Sequence, residues 1–321
     1  MVKNYHHLTY DQRCQIYILK ARGDSKSSIA RSLNVHPSTI GRELKRNKGG
    51  KGYRYQQAHQ SALLRRSFKA RKKIDDKIRS IIEEKLLNQW SPVQISGWIK
   101  EHCNQYVSHQ TIYSFIWKNK EEGGLLYKEL RHQGKKYYKQ GKGNSGRGCI
   151  PNRVDIDQRP AIVKEKIRLG DWEVDTIIGA EHKGVLVSIV ERRSKLTKLV
   201  KVSHKTALEV GQAIIDQLTP IKAFVHTITS DNGKEFALHE KVSTELSADF
   251  YFAKPYRSWE RGLNEHTNGL IRQYFPKTKT LQNLSTEEIE RVEKLLNNRP
   301  RKVLGFKTPL EVFDSLSGGM I

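Results

Sequence analysis

Positive charge is crowded into one half of this 321-residue chain, and that split constrains how it can fold. Residues 1–170 carry a net +22 of the total +24, and residues 171–321 carry +2. A front half this basic reads as an electrostatic footprint for a polyanion. The near-neutral back half is compatible with a packed enzyme domain. The length leaves room for two or three domains.

The front half reads as short helices with tight turns. Leu8-Thr9-Tyr10-Asp11-Gln12 begins a helix whose Ile16 and Leu19 approach Gly23. Asp24 or Ser25 can cap a second helix, with Ile29, Ala30 and Leu33 on one face. Asn34-Val35-His36 makes a turn, and Pro37 suits the first position of a third helix. Ile40 and Leu44 then fall four apart, which leaves Ser38, Thr39, Arg42, Lys45 and Arg46 outward. Those side chains suit base edges and phosphates, so the pattern predicts a DNA-binding helix-turn-helix; a bundle with a solvated basic face is the alternative. A similar plan recurs at Ser91-Pro92-Val93-Gln94, a capping box, and at Ser108. There His109, Gln110 and Thr111 are the candidate DNA contacts, and a packing or dimerisation module is the alternative. Trp90, Trp98 and Trp117 are expected as core or interface anchors. Arg65-Arg66 through Arg71-Lys72-Lys73 forms a basic connector, and residues 132–153 look like a flexible linker.

The back half alternates strands and helices. Strands are expected at 172–178, 184–190, 196–202, 223–230 and near 249–252. Helices are expected at 206–218, about 237–246 and about 262–275, and capping boxes at Ser285-Thr286-Glu287-Glu288 and Thr308-Pro309-Leu310-Glu311 start two more. The order predicts a mixed α/β sheet.

Three acids stand out on this framework. Asp175 lies inside an apolar strand, where a carboxylate needs compensation. Asp231 follows a strand and precedes Asn232-Gly233, and Glu265 opens a helix. Alone, Asp231 is an ordinary turn residue and Glu265 an ordinary acid at a helix start. Together, two strand-borne aspartates and one helix-borne glutamate can converge on a pair of Mg²⁺ ions.

Cys14, Cys103 and Cys149 are far apart, without a CxxC pair or zinc-finger spacing. An odd count without a signal peptide fits reduced thiols in a cytoplasm. No apolar run approaches the roughly 20 residues that span a bilayer, so no membrane partner is expected.

The segments Trp172-Glu173-Val174-Asp175-Thr176-Ile177-Ile178-Gly179, Thr229-Ser230-Asp231-Asn232-Gly233-Lys234-Glu235-Phe236 and Asn264-Glu265-His266-Thr267-Asn268-Gly269 closely resemble bacterial transposases of the insertion-sequence 30 family. The tail Asn298-Arg299-Pro300-Arg301-Lys302-Val303-Leu304-Gly305-Phe306 resembles them too, and the likeness spans nearly the whole chain. Val174 stands where Gly is usual, Arg257-Ser258 replaces a Ser-Pro step before Trp259, and His266 follows the glutamate where Asn is usual.

The resemblance implies a multidomain chain, with N-terminal all-α helix-turn-helix units followed by an α/β RNase H-like catalytic domain of retroviral integrase type. The expected divisions are a first helix-turn-helix domain at 1–60, a second helical domain at 61–125, a basic linker at 126–165 and a catalytic domain at 166–321. The resemblance also implies a DDE triad of Asp175, Asp231 and Glu265 holding two Mg²⁺ or Mn²⁺ ions. Its implied partners are transposon terminal repeats, target DNA and at least a second copy of the chain on DNA. The implied location is the bacterial cytoplasm, at the nucleoid. Arg272, two helical turns after Glu265, is a further expected DNA contact, with a surface salt bridge as the alternative; Lys254, Arg257 and Arg261 are weaker candidates, and Trp259 either wedges against a base or packs. A DNA-binding regulator with a decayed enzyme domain, or a nuclease that does not transpose, are the competing readings.

Overall fold

The structure is a computed structural model that describes residues 7–69, 74–103, 105–131, 150–254 and 257–319, with the backbone alone at 67–69, 258 and 259. The chain forms two compact units, Met1–Asp75 and Asp76–Ile321.

The first unit holds helices α1 (Tyr10–Ala21), α2 (Lys26–Ser32) and α3 (Pro37–Arg46), a small hairpin of β1 (Lys48–Gly49) and β2 (Gly52–Tyr53), and α4 (Tyr55–Lys69). Thr9 and Gln12 cap α1 reciprocally, and Ser25, not Asp24, caps α2. The His36 ring accepts from the Ser38 backbone N–H at the start of α3. Ile16, Ile29, Ala30, Ile40, Tyr53 and Ala58 form the core. Arg13 and Glu43, thirty residues apart, make a buried ion pair at 2.8 Å that ties α3 to α1. Tyr53 donates to the same carboxylate at 3.2 Å. The sequence boundary expected after residue 60 runs through α4. Arg65 of α4 donates to Asn47 at the end of α3, so this part of the basic connector is a packed helix. Residues 70–73 of that connector lie outside the described residues.

The second unit begins with α5 (Asp76–Leu87), α6 (Pro92–His102) and α7 (His109–Glu121). The expected box at Ser91 and Gln94 caps α6, and Ser108 caps α7. These helices share their compact unit with the sheet. Gln94 donates to the Pro300 carbonyl at 2.8 Å, and a Cβ at Gly97 would lie within the ring of Phe306. Of the expected linker, residues 132–149 lie outside the described residues, and Cys149 with them. Its remainder, with α8 (Ala161–Glu165), packs: Ile150 and Val163 are buried. Cys14 and Cys103 are free thiols.

The sheet contains β3 (Asp171–Ile178), β4 (Val185–Glu191), β5 (Thr197–Val202), β6 (Thr227–Ser230) and β7 (Asp249–Phe252), in the order β5-β4-β3-β6-β7. β3, β4 and β5 pair antiparallel, while β6 and β7 run parallel to β3. This mixed sheet follows all-α segments in the chain, the α/β order that the resemblance implies. The strand expected at 223–230 starts only at Thr227, because a 3₁₀ stretch over Thr219–Phe224, with Pro220 in its first turn, precedes it.

Alternation along β3 decides what each face carries. Trp172 and Val174 join a core with α9 (Ala207–Leu218), α10 (His239–Leu246) and Phe313 of α13 (Pro309–Ser317). Ile177 joins the opposite core, with α11 (Gly262–Tyr274) and α12 (Thr286–Asn297). Asp171, Glu173 and Asp175 share the parity of Ile177, so three carboxylates lie on the face that α11 covers.

Candidate active site

Asp175 sits mid-strand on β3, opposite Ser188 of β4. Its carboxylate accepts from Asn268 Nδ2 of α11 at 2.9 Å and from the Thr176 backbone N–H at 2.9 Å. Burial pushes its pKa up, and the nearby Asp231 adds to that, while Arg261 and the two hydrogen bonds oppose it. Asp231 follows the last residue of β6, and its carboxylate accepts from the Gly233 N–H at 2.9 Å, the Asx-type turn of an Asp before Asn-Gly. The structure therefore brings these two expected residues together.

Arg261 stands between them. Its guanidinium lies 3.7 Å from Asp175 and 3.2 Å from Asp231, and it also donates to the Val174 carbonyl at 3.3 Å. With its side chain 12% exposed, this arginine, expected on DNA, instead binds the two aspartates. A carboxylate pair drawn together at a sheet end is too much like charge without a cation.

Glu265 is exposed in the first turn of α11. It lies about one helical turn after Arg261 and slightly less than one before Asn268, so it is on the flank of the helix whose neighbours reach the aspartates. The start of α11 is fixed to β3: the Asn264 N–H donates to Glu173 at 3.2 Å and its side chain to the Val174 carbonyl at 3.1 Å. Glu173 is itself paired with buried Arg192. Among the described residues no three His, Cys, Asp or Glu side chains form a ready metal cluster. The donors present are hard carboxylate oxygens, a set that fits Mg²⁺ or Mn²⁺ better than softer metals.

A second layer steadies the Asp231 loop. Glu235 is buried, accepts from the Thr176 hydroxyl at 3.0 Å and pairs with Lys205 at 2.7 Å. Asn232 donates to the Ala253 carbonyl at 2.6 Å. Glu173, Glu235, Asn264 and Asn268 join the site without being singled out by their local sequence. The period-two acids of β3 were the available signal for Glu173.

The other expected contacts divide. Ser38, Arg42, Lys45 and Arg46 are exposed on α3, and Thr39 is half-buried. His109 and Gln110 are exposed on α7, whereas Thr111 is half-buried and its hydroxyl bonds Ser108 at 2.9 Å. Arg272 is turned inward: it donates to the Ile178 carbonyl at 2.8 Å, joining α11 to the end of β3, and burial lowers its pKa. Arg257 pairs with Glu260 at 3.7 Å, and Lys254 pairs with Asp157. The Trp259 side chain lies outside the described residues. Burial, with Arg301, Arg131 and Arg299 nearby, lowers the pKa of His266 and favours its neutral form. Among the described residues no helix is long and apolar enough to cross a membrane.

A family model for a helix-turn-helix domain matches residues 4–47, which covers α1 to α3. The chain is 45% identical over 313 residues to the transposase for insertion sequence element IS4351 of Bacteroides fragilis, covering 97% of this chain and 96% of that protein. It is 33% identical over 323 residues to transposase InsI for insertion sequence element IS30A of Escherichia coli strain K12, covering 96% and 83%. Among solved structures it matches the catalytic core domain of BIV integrase at 21% identity and a TM-score of 0.37, over 46% of this chain and 95% of that one. The near-complete alignments join the helical units and the carboxylate-bearing sheet in one kind of protein, and this chain belongs to the insertion-sequence 30 family of transposases.

Proposed function

We propose that this protein binds the ends of its transposon, cleaves the DNA there and transfers the freed 3′-OH to target DNA. The observation that carries this reading is the convergence of Asp175 and Asp231 on Arg261, beneath the helix whose first turn carries Glu265. Asp175, Asp231 and Glu265 would hold two divalent ions, Mg²⁺ or Mn²⁺. When bound, such ions supply Lewis acidity to both the attacking and the leaving oxygen of a phosphodiester.

The chain's own groups prepare that site. Asn268 orients the Asp175 carboxylate, and Arg261 offsets the burial and the like charge that disfavour its ionisation. Glu173, Asn264 and Arg272 fasten α11 to β3 at both ends of the contact, which fixes where Glu265 starts from. End binding rests on the exposed Ser38, Arg42, Lys45 and Arg46 of α3, with Thr39 beside them, and on His109, Gln110 and Thr111 of α7 as a second contact. Bringing two ends together requires at least a dimer on DNA.

The test is to assay purified Asp175→Asn, Asp231→Asn and Glu265→Gln proteins. Each should lose Mg²⁺-dependent cleavage and strand transfer while binding end DNA within about twofold of wild type, because affinity comes mainly from phosphate contacts elsewhere. Strand transfer retained by any one of the three would remove that residue from the triad.

A further inference from the structure

Three arginines gather beside α11. Arg299 is 2% exposed and Arg301 6% exposed. Arg299 donates from Nε to Gln94 Oε1 and from Nη1 to Gln273 Oε1, both at 2.9 Å. Arg301 donates from Nη2 to the Leu296 carbonyl at 3.0 Å, and its Nη1 is buried without a hydrogen-bond partner. The third, Arg131, lies against Gly269 of α11, where a Cβ would strike its guanidinium. Burial lowers the pKa of Arg301 to about 9 and that of Arg299 to about 10, with Arg131 adding repulsion to both. A neutral phenol, Tyr274, is the group that favours their charge. Arg299 and Arg301 are buried like charges, which destabilise a fold unless an anion joins them, and Arg131 is exposed beside them.

The cluster opens into a cavity of about 230 Å³ whose lining includes Trp90, Tyr113, Trp117, Glu129, Arg131 and Arg299. Glu129 already accepts from Gln89. Trp117 is 42% exposed, and Lys120 lies 5.5 Å above its ring. Guanidinium groups suit phosphate because their planar fork donates two parallel hydrogen bonds. Aromatic rings suit a base because every base has a flat face to stack. Gly269 is four residues after Glu265, so the cluster lies about one helical turn from the candidate active site.

We propose that this cavity receives one unpaired nucleotide of a DNA strand next to the active site. Arg131 and Arg299 take its phosphate, Arg301 adds charge from behind, and the base lies against Trp117. A base still paired in a duplex cannot enter such a cavity, so the site selects a nucleotide already out of its stack. This inference rests on the reading of the chain as a DNA transposase.

The test uses the full chain and two DNAs: a blunt duplex, and the same duplex with a short single-stranded extension carrying 2-aminopurine. Wild type should prefer the extended duplex by roughly fivefold to a hundredfold, the range that stacking of one base supplies. It should also quench the 2-aminopurine. Trp117→Ala should lose the quenching, and both Trp117→Ala and Arg131→Gln should lose the preference. Both should still bind the blunt duplex within about twofold of wild type, which also reports that they are folded. Equal binding of both duplexes by wild type, or an unchanged preference in the two variants, would overturn the nucleotide site and leave the transposase reading standing. Wild type that binds neither duplex would overturn both.

Discussion

At the scale of single residues, charges placed in the interior shape both the site and its stability. Lys195 shows the cost away from the site. Burial lowers its pKa from 10.5 to about 8, and the neighbouring Lys166 adds to that. Below pH 8 the lysine is protonated in both the folded and unfolded states, so the fold bears the full penalty. Between pH 8 and 10.5 the unfolded chain holds more protons than the folded one, and stability attributable to this group rises with pH. Lys195→Gln removes the titration. In urea denaturation of the two proteins, the difference in stability should move in favour of wild type by at most about 3 kcal/mol from pH 7 to 10. A difference that stays flat across that range would mean the amine reaches water. The same scale explains what the sequence disclosed. Asp175, Asp231 and Glu265 were legible because each stands in a distinctive local segment. The position of Arg261 between the aspartates was not, because its partners are 30 and 86 residues away and only the closed sheet brings them together. As a basic residue in a basic chain, it gave no local sign of facing inward.

Among the elements, legibility followed the strength of local signals. Capping boxes at Ser91, Ser285 and Thr308 located three helix starts, since reciprocal hydrogen bonds are written in four consecutive residues. The strand ending at Ser230 is shorter than its pattern suggests, because Ala223 and Phe224 look strand-like while Pro220 favours the preceding turn. Helix α4 was hidden by its charge, which resembles that of a solvated connector. The seating of α6 depends on a missing side chain. Gly97 lets the helix approach the ring of Phe306. Gly97→Leu should therefore overpack that contact and destabilise the second unit by about 1–3 kcal/mol, even though leucine is the better helix former. Limited proteolysis should then cut faster within residues 76–131 than within the sheet. Equal protection in the variant would mean that α6 is held by its polar contacts at Pro300 and Arg299 alone.

For the molecule as a whole, the first helix-turn-helix and the carboxylate-bearing sheet belong to different compact bodies. Met1–Asp75 has its own core and its own buried ion pair, so this fragment should melt cooperatively and bind duplex DNA by itself. Arg42→Ala and Lys45→Ala in that fragment should each lower the slope of log affinity against log salt by about one if the side chain meets a phosphate. A base contact would instead cost about 1–3 kcal/mol at one position of the end sequence. A folded fragment indifferent to salt would place end binding elsewhere. Residues 76–321 have a different logic. The glycine at 97 makes α6 and the tail around Phe306 parts of a single body, and α11 belongs to that body too. If α7 grips DNA and the carboxylate site cuts it, both acts belong to one compact unit, hand and blade in the same piece. On the proposed function, such a body would serve as a ruler, the number of base pairs from the gripped step to the cut being set by its width.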